Sequence, residues 1–376
     1  MTDAAITIRP GVNDGVVTGA GSATSETPAL AERCGMARVC VVTTPSVERS
    51  PLLGQVVDAL GDRHVATFAG SKAHTPRQAV VDGAEVARNA DADGLISLGG
   101  SSVVDLTKGI AMVLAEGAEF AGLRIESGNR LAAPKIPHIA IPTTLSAAEF
   151  TGAAGITDPA TGVKELYASR TMAPKWVVLD ATMTSATPQR LWAGTGMKLV
   201  ADCLEGMLSP YATEYANTLL ERALQILLTD LSAPVEDLEA RGRCLQAAHM
   251  TLSNLHNLGV GAVAALRHQL GGGAGVPHGE ASTIVLPHVM RWNGTAAAPV
   301  LDLVASTLGL ADAGALVDHL TAKIVELGLP TRLRDVGVTQ DMLGDIAEHA
   351  AAEPAARRNI RPTDAPALTE VLRAAW

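Results

Sequence analysis

GLISLGGSSVVDLTKG, residues 94–109, is the stretch whose reading decides the fold. An apolar run ends in Gly99 and Gly100, and Ser101 and Ser102 then open a segment with helical spacing. This pattern is a buried strand turning directly into a helix, the first half of a βαβ unit. Glycines at the turn let a backbone approach a pyrophosphate closely, and the helix start supplies N–H donors and a partial positive charge. An ordinary strand-to-helix turn favours the same residues, so the turn alone leaves both readings open.

Outward from this stretch the pattern repeats. ARVCVVTTPS (37–46), HVATFAG (64–70), PHIAIPTT (137–144) and KWVVLD (175–180) read as strands. SPLLGQVVDALGD (50–62) and TPRQAVVDGAEVARNA (75–90) read as helices, the second with Thr75 as N-cap and Pro76 at the first helical position. Strands separated by helices of this length predict a mainly parallel sheet covered on both faces, with ligands at the strand C-termini. From Pro188 onward apolar residues recur at three- and four-residue spacing and strand-like runs almost vanish. The expectation is an α/β Rossmann-like domain over 1–187 and an all-helical domain over 188–376.

Composition narrows the function classes. A chain of 376 residues with 47% hydrophobic and 18% charged residues is globular and long enough for two cores. A formal charge of −10, with no Lys/Arg run, argues against a nucleic-acid partner. Four cysteines without a CxxC fit reduced thiols. The N-terminal stretch lacks the form of a signal peptide, and no uninterrupted apolar run is long enough for a membrane span. A cytoplasmic protein acting on a small molecule is the expectation.

Three further segments could carry chemistry. IPTTLSAAEFT (141–151) places the Thr143 and Thr144 hydroxyls at a strand end; a lone TT pair usually means nothing. In TGMKLVADCLEGML (195–208), Lys198, Asp202 and Glu205 share one helix face. On residue types alone that face reads as a solvated stripe with a surface ion pair. ALRHQLGGGAGVPHGEASTIVLPHVMRWN (265–293) carries His268, His278 and His288 among glycines and prolines. Histidine is the natural proton donor near neutral pH, although each of the three, taken singly, reads first as an ordinary core or surface residue.

Together, in this order and spacing, these segments resemble the iron-containing alcohol dehydrogenases. That family shows GGGSxxDxxK, PTTxxxxSE, GxDxxxHxxE and HxxxHxLGGxxxxPHG followed by LPHVxxxN; here GGSSVVDLTK, PTTLSAAE, GMKLVADCLE, RHQLGGGAGVPHG and LPHVMRWN correspond. The likeness runs from about Val16 to the C-terminus. TTPS (43–46), GLPTRLRDVG (328–337) and NIRP (359–362) look most like maleylacetate reductases. The resemblance implies the dehydroquinate synthase-like fold of that family, with the active site in the cleft between its two domains, and a homodimer. It implies a nicotinamide dinucleotide on Gly99, Gly100, Ser101, Ser102, Thr143 and Thr144. Thr44 stands where the family often has a ribose-binding Asp, which leaves NADH and NADPH both open.

The departures bear on mechanism. The family's metal ligands, one Asp and three His, correspond here to Lys198, Asp202, Ala264 and His278. Lysine has no lone pair at neutral pH and alanine ligates nothing, so no metal is expected. His268 matches a family histidine that is not a ligand and is assigned proton transfer. Lys198, Asp202, His268 and His278 are therefore the expected catalytic residues, with Lys198 in place of the metal charge. The leading expectation is a metal-independent NAD(P)H-dependent reductase of a small oxo- or enoyl-carboxylate. The rivals are a non-redox lyase, isomerase or cyclase on the same scaffold, and a catalytically silent partner.

Overall fold

A computed structural model of the chain describes residues 11–72, 75–125, 131–160 and 164–376. Its described residues divide into two compact units. The first comprises Gly11–Thr187 with Val235–His249, and the second Pro188–Pro234 with Met250–Trp376.

The first unit holds all eight strands found among the described residues: β1 (Gly15–Thr18), β2 (Val39–Val42), β3 (His64–Phe68), β4 (Gly94–Gly99), β5 (His138–Pro142), β6 (Ala153–Thr157), β7 (Lys164–Ala168) and β8 (Trp176–Leu179). Six form one sheet in the order β1-β8-β5-β4-β2-β3, with every neighbouring pair parallel. β6 and β7 form a separate antiparallel pair. Helices α1 (Ser22–Ser25), α2 (Thr27–Arg33), α3 (Pro45–Glu48), α4 (Pro51–Leu60), α5 (Arg77–Asn89) and α6 (Ser101–Glu116) lie between the strands in sequence.

Parallel strands covered on both faces read as continuous apolar runs because neither face meets water. β2 shows this directly. Val39 and Val41 pack with Leu52, Val56 and Leu60 of α4, whereas Cys40 and Val42 pack with Val80 and Ala84 of α5 and Leu106 and Ile110 of α6. Strand order reverses at β2 and β4: the chain leaves β2 for the β3 edge, then returns to the other side of β2. In open α/β sheets that reversal opens a crevice at the strand C-termini.

The start of α5 and three of the strands differ from expectation. Thr75 is not the cap of α5; Pro76 holds that position and the helix starts at Arg77. Thr75 is drawn away because its carbonyl accepts from Thr157 N at 2.9 Å and its φ is 49°. β1 and the β6–β7 pair were not foreseen, since both are short and only partly apolar.

Among its described residues the second unit has helices and no strand: α7 (Gln189–Met207), α8 (Glu214–Asp230), the C-terminal part of α9 (Leu238–Leu258), α10 (Ala262–Ala274), α11 (His278–Thr307), α12 (Ala313–Glu326), α13 (Met342–Ala352) and α14 (Ala365–Ala375). α11 bends at Gly294, whose φ of 50° breaks the helical ladder. The N-terminal part of α9, up to His249, belongs to the sheet unit. Among the described residues no helix is long and apolar enough to cross a membrane.

Candidate functional site

β2, β4 and β5 are adjacent and parallel, so the residues that follow them gather on one edge of the sheet. These are Thr44, then Gly99 to Ser102, then Thr143 and Thr144. Gly99 has φ 157°, and a Cβ there would lie 2.5 Å from Val103 Cγ2; only glycine fits. A Cβ on Gly100 would lie 3.0 Å from Thr144 Oγ1, which shows how closely the β4 and β5 loops approach. Gly100 is the N-cap of α6, and among the described residues no side chain caps that helix start. The first N–H groups of a 16-residue helix therefore lack an intrachain side-chain acceptor, the arrangement that receives phosphate oxygens.

Neighbouring polar residues lock this edge. Thr43 Oγ1 donates to Leu98 O at 2.8 Å, and Thr143 N donates to Gly99 O at 3.1 Å. Thr44 Oγ1 caps α3, accepting from Val47 N at 3.2 Å. The fully buried Lys108 donates to the carbonyls of Ala148 and Ala153 at 2.8 and 2.7 Å, which fixes the loop after Thr144. Burial pushes its ammonium pKa down, and Asp105 opposes that shift.

In the helical unit the Lys198–Asp202–Glu205 face is a correction to the solvated stripe. Asp202 is completely buried, Glu205 is 4% exposed and the Lys198 side chain 16%. Lys198 Nζ lies 2.6 Å from Asp202 Oδ2. Arg267 Nη1, from α10, donates to Asp202 Oδ1 at 3.0 Å and to Ser282 Oγ of α11 at 3.3 Å. Two cations thus share one carboxylate. Burial alone would raise the Asp202 pKa, but Lys198 and then Arg267 outweigh it and hold the carboxyl below its ordinary value.

Glu205, three residues on, is shifted the other way. Its oxygens accept from Val263 N at 2.6 Å and Ala264 N at 3.2 Å, so it caps α10 from outside that helix. Among the described residues no cation bonds it directly, and burial, the largest influence, pushes it up to about 7 despite those bonds. Asn359 Oδ1 adds a contact from Ala262 N at 3.3 Å. A Cβ on Gly261 would lie 2.9 Å from Glu205 Oε1, so glycine is what lets the two caps close on the helix start.

α10 carries His268 one residue beyond Arg267. The His268 and His278 rings have centroids 5.9 Å apart at 45°. His268 Nδ1 lies 2.8 Å from Glu353 Oε2. His278 is the first residue of α11, and His288, further along that helix, has its pKa lowered by burial. Ala264 is fully buried. Asp202 and His278 are the two side chains of this group that could ligate an ion, and no set of three or more His, Cys, Asp or Glu side chains suited to a metal occurs among the described residues.

Reading the sequence missed Arg267, Glu353 and the caps from Glu205 and Asn359. One signal was available. From Trp192 to Leu208 the charged residues are Lys198, Asp202 and Glu205 alone, and a helix apolar on its remaining faces is a buried one. Buried charges need partners, and Arg267 lies beside the already suspect His268.

The described residues thus give a parallel-sheet unit with a glycine-lined edge and a helical unit that holds two cations on one carboxylate beside two neighbouring histidines, the layout of a two-unit enzyme. The family model described as iron-containing alcohol dehydrogenase matches residues 14–181, and that of the family's C-terminal part matches residues 192–376. The chain is 31% identical to maleylacetate reductase 2 of Cupriavidus pinatubonensis over 364 residues, which cover 96% of this chain and 94% of that protein. It is 28% identical to a maleylacetate reductase of Pseudomonas knackmussii over 352 residues, 93% of this chain and 92% of the other. The crystal structure of maleylacetate reductase from Agrobacterium tumefaciens superimposes with a TM-score of 0.84 at 26% identity, covering 99% of this chain and 98% of that one. The chain belongs to the iron-containing alcohol dehydrogenase family and is an oxidoreductase.

Proposed function

We propose that this protein is a metal-independent NAD(P)H-dependent reductase of a small oxo- or enoyl-carboxylate, similar in reaction to the maleylacetate reductases. The carrying observation is the Lys198–Asp202–Arg267 cluster, in which two of the positions matching family metal ligands form an ion pair with each other.

A metal ion does not fit these residues. Both Asp202 oxygens are committed to cations, Ala264 offers no donor, and an ammonium at Lys198 would repel an incoming ion. No step is therefore assigned to an ion. A dinucleotide does fit the sheet edge, where Gly100 permits close approach and the start of α6 lacks a side-chain cap.

When bound, the reduced nicotinamide supplies a hydride to an electrophilic carbon of the substrate. Lys198 stabilises the negative charge that gathers on the adjacent oxygen. Asp202 and Arg267 hold its ammonium in place, so little reorganisation is needed as charge develops. His268 gives the proton that neutralises the oxygen, beside His278. Two cations against one carboxylate leave a surplus positive charge, which suits a substrate that is itself an anion. A homodimer belongs to the same proposal.

Replacing Lys198 by Met, assayed with maleylacetate and NADH or NADPH, should lower kcat at least ~100-fold, the scale of losing one oxyanion contact. Near-normal turnover would overturn the role of Lys198. Stoichiometric iron or zinc in the purified active enzyme would overturn metal independence. Failure of both dinucleotides to bind at millimolar concentration, read by nicotinamide fluorescence, would favour a lyase, isomerase or cyclase instead.

A further inference from the structure

We infer that Glu353 is a positioning residue that fixes the tautomer and ring orientation of His268, presenting Nε2 for proton transfer. The inference rests on the proposed role of His268 and adds a residue to it.

Glu353 directly follows α13, with φ −68° and ψ 145°. Pro354 comes next, and the residue before a proline is pushed out of helical geometry. That turn takes the Glu353 carboxylate off the helix. Both of its oxygens are engaged on α10: Oε2 with His268 Nδ1 at 2.8 Å, and Oε1 as acceptor from Gln269 Nε2 at 2.5 Å. Two anchors on consecutive residues of one helix fix the plane of the carboxylate as well as its distance.

A carboxylate only accepts, so Nδ1 must carry the hydrogen in this contact. The neutral ring then has its lone pair on Nε2, and the charged ring has its transferable proton there. During reduction the hydride's electron pair becomes the new carbon–hydrogen bond. The π pair of the substrate moves onto oxygen, and that oxygen takes the Nε2 proton. Nδ1–H stays with Glu353 throughout, and water returns a proton to Nε2 afterwards. The side chains of His268 and Glu353 are 42% and 18% exposed. A pair whose imidazole is this open to solvent contributes little to folding, so orientation is the larger effect of this contact. His278, with its ring centroid 5.9 Å away, flanks the same imidazole.

Two measurements test this. In ¹⁵N-histidine-labelled wild-type protein the neutral His268 ring should be the Nδ1–H tautomer, and E353Q should convert it to a mixture. A dominant Nε2–H tautomer in the wild type would overturn the inference whether or not any variant folds. With maleylacetate and NADH, E353Q should lower kcat roughly 10- to 100-fold, as loss of an orienting carboxylate does elsewhere, with the KM for NADH unchanged. The loss should vanish in an H268A background, because Glu353 acts only through that ring. If E353Q matches wild type while H268A is impaired, or if its loss persists undiminished in H268A, Glu353 does not position His268. If H268A itself turns over normally, the proton-transfer role of His268 fails instead.

Discussion

Lys198 Nζ lies 2.6 Å from an oxygen of Asp202, a residue with no exposed surface, while Arg267 holds the other oxygen. The two cations are not equivalent in their effect on stability. Removing the carboxylate would leave both of them without their shared counter-charge; removing Lys198 would still leave Asp202 neutralised by Arg267. D202N should therefore cost ~3–5 kcal/mol in urea unfolding, the range for breaking a buried pair. K198M should cost clearly less. Equal losses would show that Arg267 does not compensate the carboxylate.

Glu205 gives a pH prediction of definite sign. Its carboxyl is held at about 7 in the fold against an ordinary 4.5. Between those values the folded protein keeps a proton that the unfolded chain has released. Stability from this group is complete below 4.5 and is lost as pH rises to about 7, by up to ~1 kcal/mol per pH unit. Asp202, held below its ordinary 3.8, acts in the opposite sense and only at lower pH. His138, His249 and His288, lowered by burial, also give the opposite slope, losing stability as pH falls below 6.5. The measurement is thus the difference in urea midpoint between wild type and E205Q from pH 4.5 to 8. It should move steadily in favour of E205Q up to about 7 and then level off. A flat difference would mean that Glu205 does not titrate there.

How much of this was legible in the sequence follows from what each signal depends on. The sheet was readable because Val39 to Val42, and Leu95, Ile96 and Leu98, form apolar runs as strands covered on both faces do, and Pro188 marks where strand-like runs end. The glycine edge was readable because Gly99 occupies a backbone geometry that other residues rarely adopt. The partners of the charged residues were not. Arg267 meets Asp202 across 65 positions and Glu353 meets His268 across 85, and no local spacing encodes such contacts. The motif NIRP (359–362) resembles a segment of the maleylacetate reductases. Its Asn359 serves as glue: it donates to Asn293 Oδ1 at 2.7 Å and accepts from Ala262 N, tying α11 to the start of α10. Periodicity correctly made α7 a helix, and taking its few charges as a solvent face was the error.

The two glycines of the sheet edge should fail differently. G99A sets a Cβ 2.5 Å from Val103 at φ 157° and should lower stability by ~1–3 kcal/mol, the range for a strained backbone position. In G100A the clash is milder, at 3.0 Å from Thr144 Oγ1, and falls where a phosphate is proposed to approach. G100A should keep a near wild-type melting temperature and bind NADH at least ~10-fold more weakly, about 1.4 kcal/mol. Calorimetric titration on the folded variant decides this, and unchanged affinity would place the dinucleotide elsewhere.

Thr44 is the position in the proposed site where an added charge should discriminate between the two dinucleotides. Its hydroxyl accepts from Val47 N at 3.2 Å and so caps α3, a task an aspartate performs equally well. T44D should therefore leave the local fold intact while placing a negative charge after β2, where a ribose-binding carboxylate is found in many such sheets. A 2′-hydroxyl can donate to that carboxylate, whereas a 2′-phosphate is repelled by it. The ratio of kcat/KM for NADPH to that for NADH should fall at least ~10-fold in T44D, about 1.4 kcal/mol of discrimination. The change should reside in the KM for NADPH, since the charge lies away from the reacting carbon. An unchanged ratio in a stably folded variant would show that the adenosine ribose does not approach the end of β2.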